Sequence, residues 1–473
     1  MLYIRVKHFL AESSGIMEPA AMLKDFAISI VQTLHRSGFE AYLVGGCVRD
    51  LLLSREPKDY DVATNATPQQ VMSIFPDTYA VGAQFGVVLV PAPDGIGAGE
   101  DDRSAKSHAV EVATFRSDIG YSDGRHPDEV RFSQDPREDV VRRDFTINGM
   151  LLDPVTNEVL DFVGGRSDLE GRLIRAIGNP EIRFAEDKLR MLRAVRFAAR
   201  FEYTIEPATL AAIKKMAAEI AVVSRERVRD ELTRMLTEGH GRQAFLLLDE
   251  SGLLKHVLPE ISAMKGVAQP PEFHPEGDVF AHTLLLLDNL PYPCPLTLAW
   301  GALLHDVGKP PTFRVGPDRI RFDDHVDVGV KMADEICRRL RFSNDDTDQI
   351  LALVDNHMRF GHVSRMKEST LKRFMRMPLF DEHLALHRAD CLASHRHLST
   401  YEFLLQKRAE TPVEKMRPSP LVTGDDLIAA GHVPGPKFRE ILTAVEDAQL
   451  EGRLPSRDAA LEFVHREFPA RTS

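Results

Sequence analysis

Cysteine is scarce: Cys47, Cys294, Cys337 and Cys391 are the four in 473 residues, far apart and without a Cys-x-x-Cys pair. That excludes a disulfide framework or a thiolate zinc site as the organising principle and fits a reducing compartment. The thiols read as small buried apolar groups. Long apolar runs are missing as well. No stretch approaches the roughly 20 residues needed to cross a bilayer. The opening MLYIRVKHFLAESSG carries Arg5 and Lys7 but no extended apolar segment. It is therefore expected to be an extension over 1–22 rather than a secretory leader, with a cytoplasmic location and no membrane partner. An excess of basic charge is also absent: 59 Lys and Arg stand against 71 Asp and Glu, for a net charge of −12. Any contact with a polyanion must then rest on local clusters rather than on the whole field. What is present is 43% hydrophobic and 27% charged residues, the balance of a globular protein. The length suggests three or four domains.

Apolar spacing predicts a helix over 22–38 ending at Gly38. FEAYLVGG then reads as a strand entering a glycine turn, and CVRDLLLS as a short helix. DYDVATN, GVVLVPA and HAVEVATFR read as further strands, with PDGIGAGEDDRSAKS a loop before the last. From about Asp168 the pattern is helical, clearest in EDKLRMLRAVRFAARF and RERVRDELTRMLTEG. QPPEFHPEG and TPVEKMRPSP are breaks. The expected fold class is α+β: a small-sheet head over 23–165, a helical neck over 166–265, a histidine-rich helical domain over 270–400 and a helical tail over 418–473.

The sharpest feature is Asp59-Tyr60-Asp61, about 14 residues after Gly45-Gly46. On a strand, residues two apart project to one face, so both carboxylates aim at one spot. Two like charges that close are costly unless cations sit between them, and Mg²⁺ held this way can activate a hydroxyl and stabilise a leaving pyrophosphate. Gly45-Gly46 permits close backbone approach to a triphosphate, and Arg49 can make a bidentate contact. A lone Asp-x-Asp is usually a turn or solvated edge; the upstream strand–glycine–helix pattern favours the metal site. Glu111, on another strand, is a candidate third carboxylate, with a solvated strand position as its bland alternative.

GGCVRDLLL with DYD, VGAQFGVVLV, EVATFR, RRDFTINGM and EDKLRMLRAVRFAAR, in that order, resemble the class II tRNA nucleotidyltransferase and bacterial poly(A) polymerase family over about 42–236. The resemblance implies a catalytic head that uses Mg²⁺, CTP and ATP on the 3′ end of tRNA, followed by neck, body and tail. It implies Asp59 and Asp61 as metal carboxylates and Gly45, Gly46 and Arg49 as triphosphate contacts. Arg142, Arg143, Asp144 and Asn148 would contact ribose and phosphates. Gly149 departs from the family's usual alanine, and only a softer turn is expected from it. VGAQFGVVLV lacks the basic, arginine-rich stretch of the poly(A) polymerases, and the segment 116–132 fills the place of the loop that C-only enzymes lack. Full CCA addition is expected, with A-only addition left open.

Glu186, Asp187 and Arg190 match the family's Glu-Asp-x-x-Arg pattern. Read as three apart on one helix, Asp187 and Arg190 share a face and can present donors and acceptors to the pairing edges of C or A. An ordinary solvated ion pair is the commoner fate of such residues. Arg193 continues the helix with the nucleotide-binding set. Arg196 and Arg200, with Arg225, Arg227 and Arg229, are the candidate RNA-binding surface.

His282, His305-Asp306, His325, His357 and Asp390, around LLHDVGK, resemble the HD phosphohydrolase superfamily over roughly 274–395. Imidazole and carboxylate donors suit Mn²⁺, Fe²⁺, Ni²⁺ or Mg²⁺, and Lys309 is placed to meet a phosphate. If active, the module would cleave cyclic phosphates or phosphomonoesters. The competing class is an HD phosphohydrolase with a vestigial RNA-binding head. His362, His383, His387, His395 and His397 are assigned to surface or packing.

Overall fold

The computed structural model describes residues 19–80, 86–93, 109–120, 129–272, 274–317 and 319–470. Most of the extension 1–22, the Gly/Asp/Ser loop, the start of VGAQFGVVLV and the middle of the 116–132 segment lie outside them. The chain divides into two compact units, 1–222 and 223–473. The boundary falls inside the neck expected at 166–265.

The first unit is built on a six-stranded sheet. Its strands are β1 (Ala41–Val44), β2 (Asp61–Thr64), β3 (Val87–Pro91), β4 (Ala109–Thr114), β7 (Met150–Asp153) and β8 (Glu158–Asp161), in the order β3-β4-β2-β1-β7-β8. A separate antiparallel pair, β5 (Arg116–Ile119) and β6 (Glu129–Phe132), follows β4. Within the six-stranded sheet only β2 and β4 run parallel, with Asp61 in register with Glu111. Along β4, Val110, Val112 and Thr114 are buried and Glu111 is exposed, the two-residue alternation of a sheet with one covered face. Val44, Ala63, Phe115, Val140 and Leu151 form a core cluster here. The helix Pro19–Arg36 packs on β1 and β2, and Gly38 follows it at φ 86°. Gly45, at φ 79°, turns the chain from β1 directly into the helix Gly46–Leu52.

The helical stretch at the expected template residues is two helices, not one. Pro180–Glu186 starts with the Asn179 side chain accepting from the amides of Glu181 and Ile182. Asp187 leaves it in an extended conformation, φ −147° and ψ 106°, and the next helix runs Leu189–Phe201. Its buried stripe includes Met191, Leu192, Val195 and Ala198.

Gly149 does more than soften a turn. A Cβ there would lie 2.9 Å from Val163, 3.0 Å from Ile177 and 3.2 Å from Val140, all through side-chain carbons. The missing methyl lets those three side chains close over the backbone.

The second unit is helical throughout its core. Trp300, fully buried, donates its indole N–H to Thr233 at 2.9 Å. A Cβ on Gly308 would lie 2.0 Å from the carbonyl oxygen of His325 and 2.6 Å from the amide nitrogen of Gly329. Gly308 thus lets the turn after His305-Asp306 press against the helix His325–Arg339. The tail has its own small core of Val422, Leu427, Ile441, Val445, Ala460 and Val464. Its helix Pro436–Leu450 docks on Glu368–Met375, where Glu446 accepts from Arg373 at 2.6 Å and Arg376 at 2.5 Å. Among the described residues no helix is long and apolar enough to cross a membrane.

Candidate active site

In the first unit the carboxylates gather at the start of β2. Asp59 is exposed, Tyr60 buried and Asp61 partly buried; only Asp61 is within the strand, and Asp59 is close enough for its charge to act on it. Burial, with Asp59 and Glu111 adding repulsion, pushes the Asp61 carboxyl up to about 7 despite the opposing charge of Arg143. A carboxylate in that setting accommodates a cation readily. A Cβ on Gly45 would sit 3.2 Å from Nη1 of Arg143 and 3.8 Å from Oδ2 of Asp61, so glycine keeps the space between them narrow. The Asp–Asp–Glu set is looser than the histidine sets described below.

Two arginines beside this point are fixed by a residue that the motif alone did not reveal. Asp139 is fully buried; its Oδ1 accepts from Arg142 at 2.6 Å and its Oδ2 from Arg143 at 2.9 Å. Burial opposes the charge, but Arg143 and Arg142 outweigh it and hold the carboxyl below its usual range. The spacing of three and four residues in Asp-Val-Val-Arg-Arg is the signal that would have found it. Asp144 accepts from Arg193 at 2.7 Å and from Asn148 at 3.1 Å. Burial works against that charge as well, yet Arg193, Asn148 and Arg190 bring the group down to about 2.

Asn148 also accepts from Arg49 at 2.7 Å. Arg49 is 4% exposed, paired with Asp50 at 2.8 Å and stacked 4.6 Å from the Phe201 ring, so its guanidinium is engaged within the protein behind the glycine turn. Arg190 donates to Glu186 at 2.7 Å and to the Arg142 carbonyl at 2.8 Å. Asp187 does not sit on the same helix as Arg190: it occupies the break, and its Oδ1 accepts from the Leu189 amide at 3.0 Å.

Of the expected RNA-binding set, Arg196 is placed differently from the expectation and the others remain partly exposed. Arg196 is 4% exposed and lies 4.3 Å from the Phe197 ring, because its helix position faces the core. Arg200 is half-buried over Phe201. In the second unit Arg225 and Arg227 are half-buried, and Arg229 is bound to Asp230 and the Arg341 carbonyl.

The second unit brings all six expected metal ligands together. His282, His305 and Asp390 form one set and Asp306, His325 and His357 another, each with ligand atoms within 4.8 Å of one another. Asp306 lies between them. Its Oδ2 is 3.1 Å from His305 and 3.9 Å from His282, and its Oδ1 is 3.8 Å from His357 and 3.9 Å from His325. Each imidazole is anchored by its outer nitrogen: His282 to Glu276 at 2.7 Å, His305 to the Ala302 carbonyl at 2.8 Å, His325 to Phe322 at 2.9 Å and His357 to Val354 at 2.6 Å. The inner Nε2 of all four is buried and makes no well-aligned hydrogen bond, though it faces a carboxylate oxygen at 3.1 Å in two cases, Asp390 for His282 and Asp306 for His305. An outer anchor with an inner lone pair is the arrangement of a metal-ligating histidine. Burial, helped by the charge of His305, drives His357 down to about 4, hence neutral. His282 goes the other way, to about 9, because Asp390 and Glu276 outweigh its burial.

Lys309 joins the group, 2.8 Å from Asp306 and 2.7 Å from Gln269. A cavity of about 420 Å³ opens here, lined also by Arg319, Arg321, Phe322 and Met358. His395, assigned from the sequence to surface or packing, lines it too. His387 packs on Phe360 with ring centroids 4.4 Å apart, and His383 is buried. Glu276 and Gln269 fall outside the signature.

A small-sheet head with an aspartate pair, and a helical unit with a histidine–aspartate centre, define a metal-dependent two-module class. Family models match in that order: the poly(A) polymerase head domain over 41–175, the probable RNA and SrmB binding site of polymerase A over 202–265, and the HD domain over 279–394. The CCA-adding enzyme of Lactobacillus johnsonii is 38% identical over 274 residues, covering 56% of this chain and 65% of that enzyme. That of Enterococcus faecalis is 43% identical over 220 residues, covering 46% and 50%. The chain thus spans between half and two thirds of these relatives' length. The crystal structure of the Bacillus stearothermophilus CCA-adding enzyme in complex with CTP superposes with a TM-score of 0.71 at 28% identity, over 95% of this chain and 98% of that one. The chain thus carries a poly(A) polymerase head domain, the RNA-binding region that follows it and an HD domain, and is similar to CCA-adding enzymes.

Proposed function

We propose that the chain adds C, C and A to the 3′ end of tRNA from CTP and ATP, without a nucleic-acid template. The observation that carries this reading is the pairing of Asp59 and Asp61 beside Gly45 and the Asp139-held arginines, in a chain similar to CCA-adding enzymes. Asp59 and Asp61 would hold Mg²⁺, and Glu111 opposite Asp61 would complete the acidic wall. A divalent cation there, when bound, favours the ionised 3′-hydroxyl and neutralises the triphosphate. The chain supplies the rest. Arg142 and Arg143, preset by Asp139, face the phosphates, and the Gly45-Gly46 backbone admits their close approach. Asp144 and Asn148, held by Arg193 and Arg49, meet the ribose. Glu186, Asp187 and Arg190 meet the base. A labelled-nucleotide assay on tRNA lacking its CCA tests this directly. Wild type extends it, and Asp61→Ala abolishes extension while folding persists. Substantial residual transfer in that variant excludes the aspartate-pair mechanism.

A second reading concerns the HD unit, supported by four anchored imidazoles whose buried inner nitrogens converge with the carboxylates of Asp306 and Asp390. We infer that it binds divalent transition metal such as Ni²⁺ or Mn²⁺ through His282, His305, Asp306, His325, His357 and Asp390. Such a cation lowers the pKa of bound water, and Lys309 faces a substrate phosphate, for hydrolysis of cyclic phosphates or phosphomonoesters. Metal analysis with a phosphatase assay tests it; an empty site and no hydrolysis after Ni²⁺ or Mn²⁺ addition leave the unit a scaffold.

A further inference from the structure

We propose that Arg183 is a positioning residue for base selection, the second arm of a clamp on Glu186 that sets the guanidinium of Arg190. The proposal rests on Arg190 facing the incoming base, as above. Each oxygen of Glu186 is taken by a different arginine: Oε1 by Arg183 at 2.7 Å and Oε2 by Arg190 at 2.7 Å. All three side chains are shielded, at 15%, 15% and 12% exposure for Arg183, Glu186 and Arg190.

Both arginines are also tied to one short stretch of backbone. Arg183 donates to the Val141 carbonyl at 3.0 Å, and Arg190 to the Arg142 carbonyl at 2.8 Å. Arg190 further donates to the carbonyl of Arg183 itself at 3.1 Å. The clamp therefore crosses the helix break at Asp187 and joins both helices to the segment that carries Arg142 and Arg143. Arg183, Glu186, Val141 and Arg142 also border a cavity of about 290 Å³.

A carboxylate held on one oxygen rotates; held on both, it has one orientation, and so does the arginine it binds. Discrimination by hydrogen bonds to a base edge needs donors fixed within about 0.5 Å. Arg183 supplies that fixation without touching the base. The competing view, a plain helix staple, expects lost stability and unchanged selectivity.

The test uses the full chain with Mg²⁺ and no RNA, measuring the Kd of CTP, ATP, UTP and GTP for wild type, Arg183→Met and Arg183→Lys, with thermal melts alongside. Wild type is expected to prefer CTP and ATP. Arg183→Met should shrink that preference about fivefold or more by weakening the two favoured nucleotides. Arg183→Lys should fall between, returning charge to Glu186 without reaching Val141; if Arg183→Met fails to fold, the lysine variant decides by the same ratio. Preference within about twofold of wild type in the folded variants, or no preference in wild type, overturns the proposal. Selective wild-type binding without transfer to truncated tRNA would remove the CCA-adding reading and leave the clamp standing.

Discussion

Asp139→Asn probes the arginine pair most sharply. Asp139 is fully buried, while the side chains of Arg142 and Arg143 are 20% and 19% exposed. Breaking a buried ion pair by removing one partner costs about 3–5 kcal/mol. Asparagine keeps one acceptor and the guanidiniums keep some access to water, so the lower end applies, about 3 kcal/mol. For a unit the size of 1–222 that corresponds to a fall of roughly 6–12 °C in its melting transition. Function should suffer separately, since both arginines lose their preset direction and misplacement of about 1 Å can cost on the order of 10²-fold in kcat/KM. Calorimetry of the full chain and steady-state kinetics for CTP and ATP on truncated tRNA read the two effects. An unchanged transition together with unchanged kcat/KM would refute the idea that one carboxylate organises both arginines.

Gly149→Ala should destabilise the first unit by about 1–3 kcal/mol, read from the urea midpoint, because the new methyl meets Val163, Ile177 and Val140; an unchanged midpoint would mean that those side chains give way freely. Asp61, pushed up to about 7, holds its proton more tightly folded than unfolded, so its stability contribution is full below about pH 4 and is lost as pH rises through about 7. With chelator present, Asp61→Asn should therefore melt higher than wild type at pH 8 and the gap should close towards pH 4; a gap independent of pH would contradict that assignment. Asp306→Asn should lower bound transition metal at both histidine sets, as Oδ1 and Oδ2 of Asp306 face different histidines. Metal content by mass spectrometry equal to wild type would show that Asp306 is no ligand.

The strand–glycine–helix entry, the aspartate pair and the order of the histidines were legible because each rests on local periodicity or a fixed motif. What escaped depends on tertiary detail. The break at Asp187 was hidden inside a continuous helical pattern, since a helix end capped by the next residues leaves no glycine or proline behind. Arg196 carries a charge that sequence places on the surface, yet its guanidinium lies over the Phe197 ring and the residue is buried. Gly149 was read from backbone freedom alone, while its role is the room it leaves for three neighbouring side chains. Asp139 stood in a readable three- and four-residue spacing to Arg142 and Arg143, whereas Glu276 is seen only when His282, which it orients, is followed outward.

The proposed CCA-adding activity is tested most directly by incubating the full chain and Mg²⁺ with a tRNA that ends just before its CCA, supplying each nucleoside triphosphate alone and CTP with ATP, and sequencing the extended ends. The expected product carries C, C and A, with CTP alone stopping after the cytidines and neither UTP nor GTP used. Long runs of A added to any RNA offered, or ends left unextended by folded protein, would contradict it.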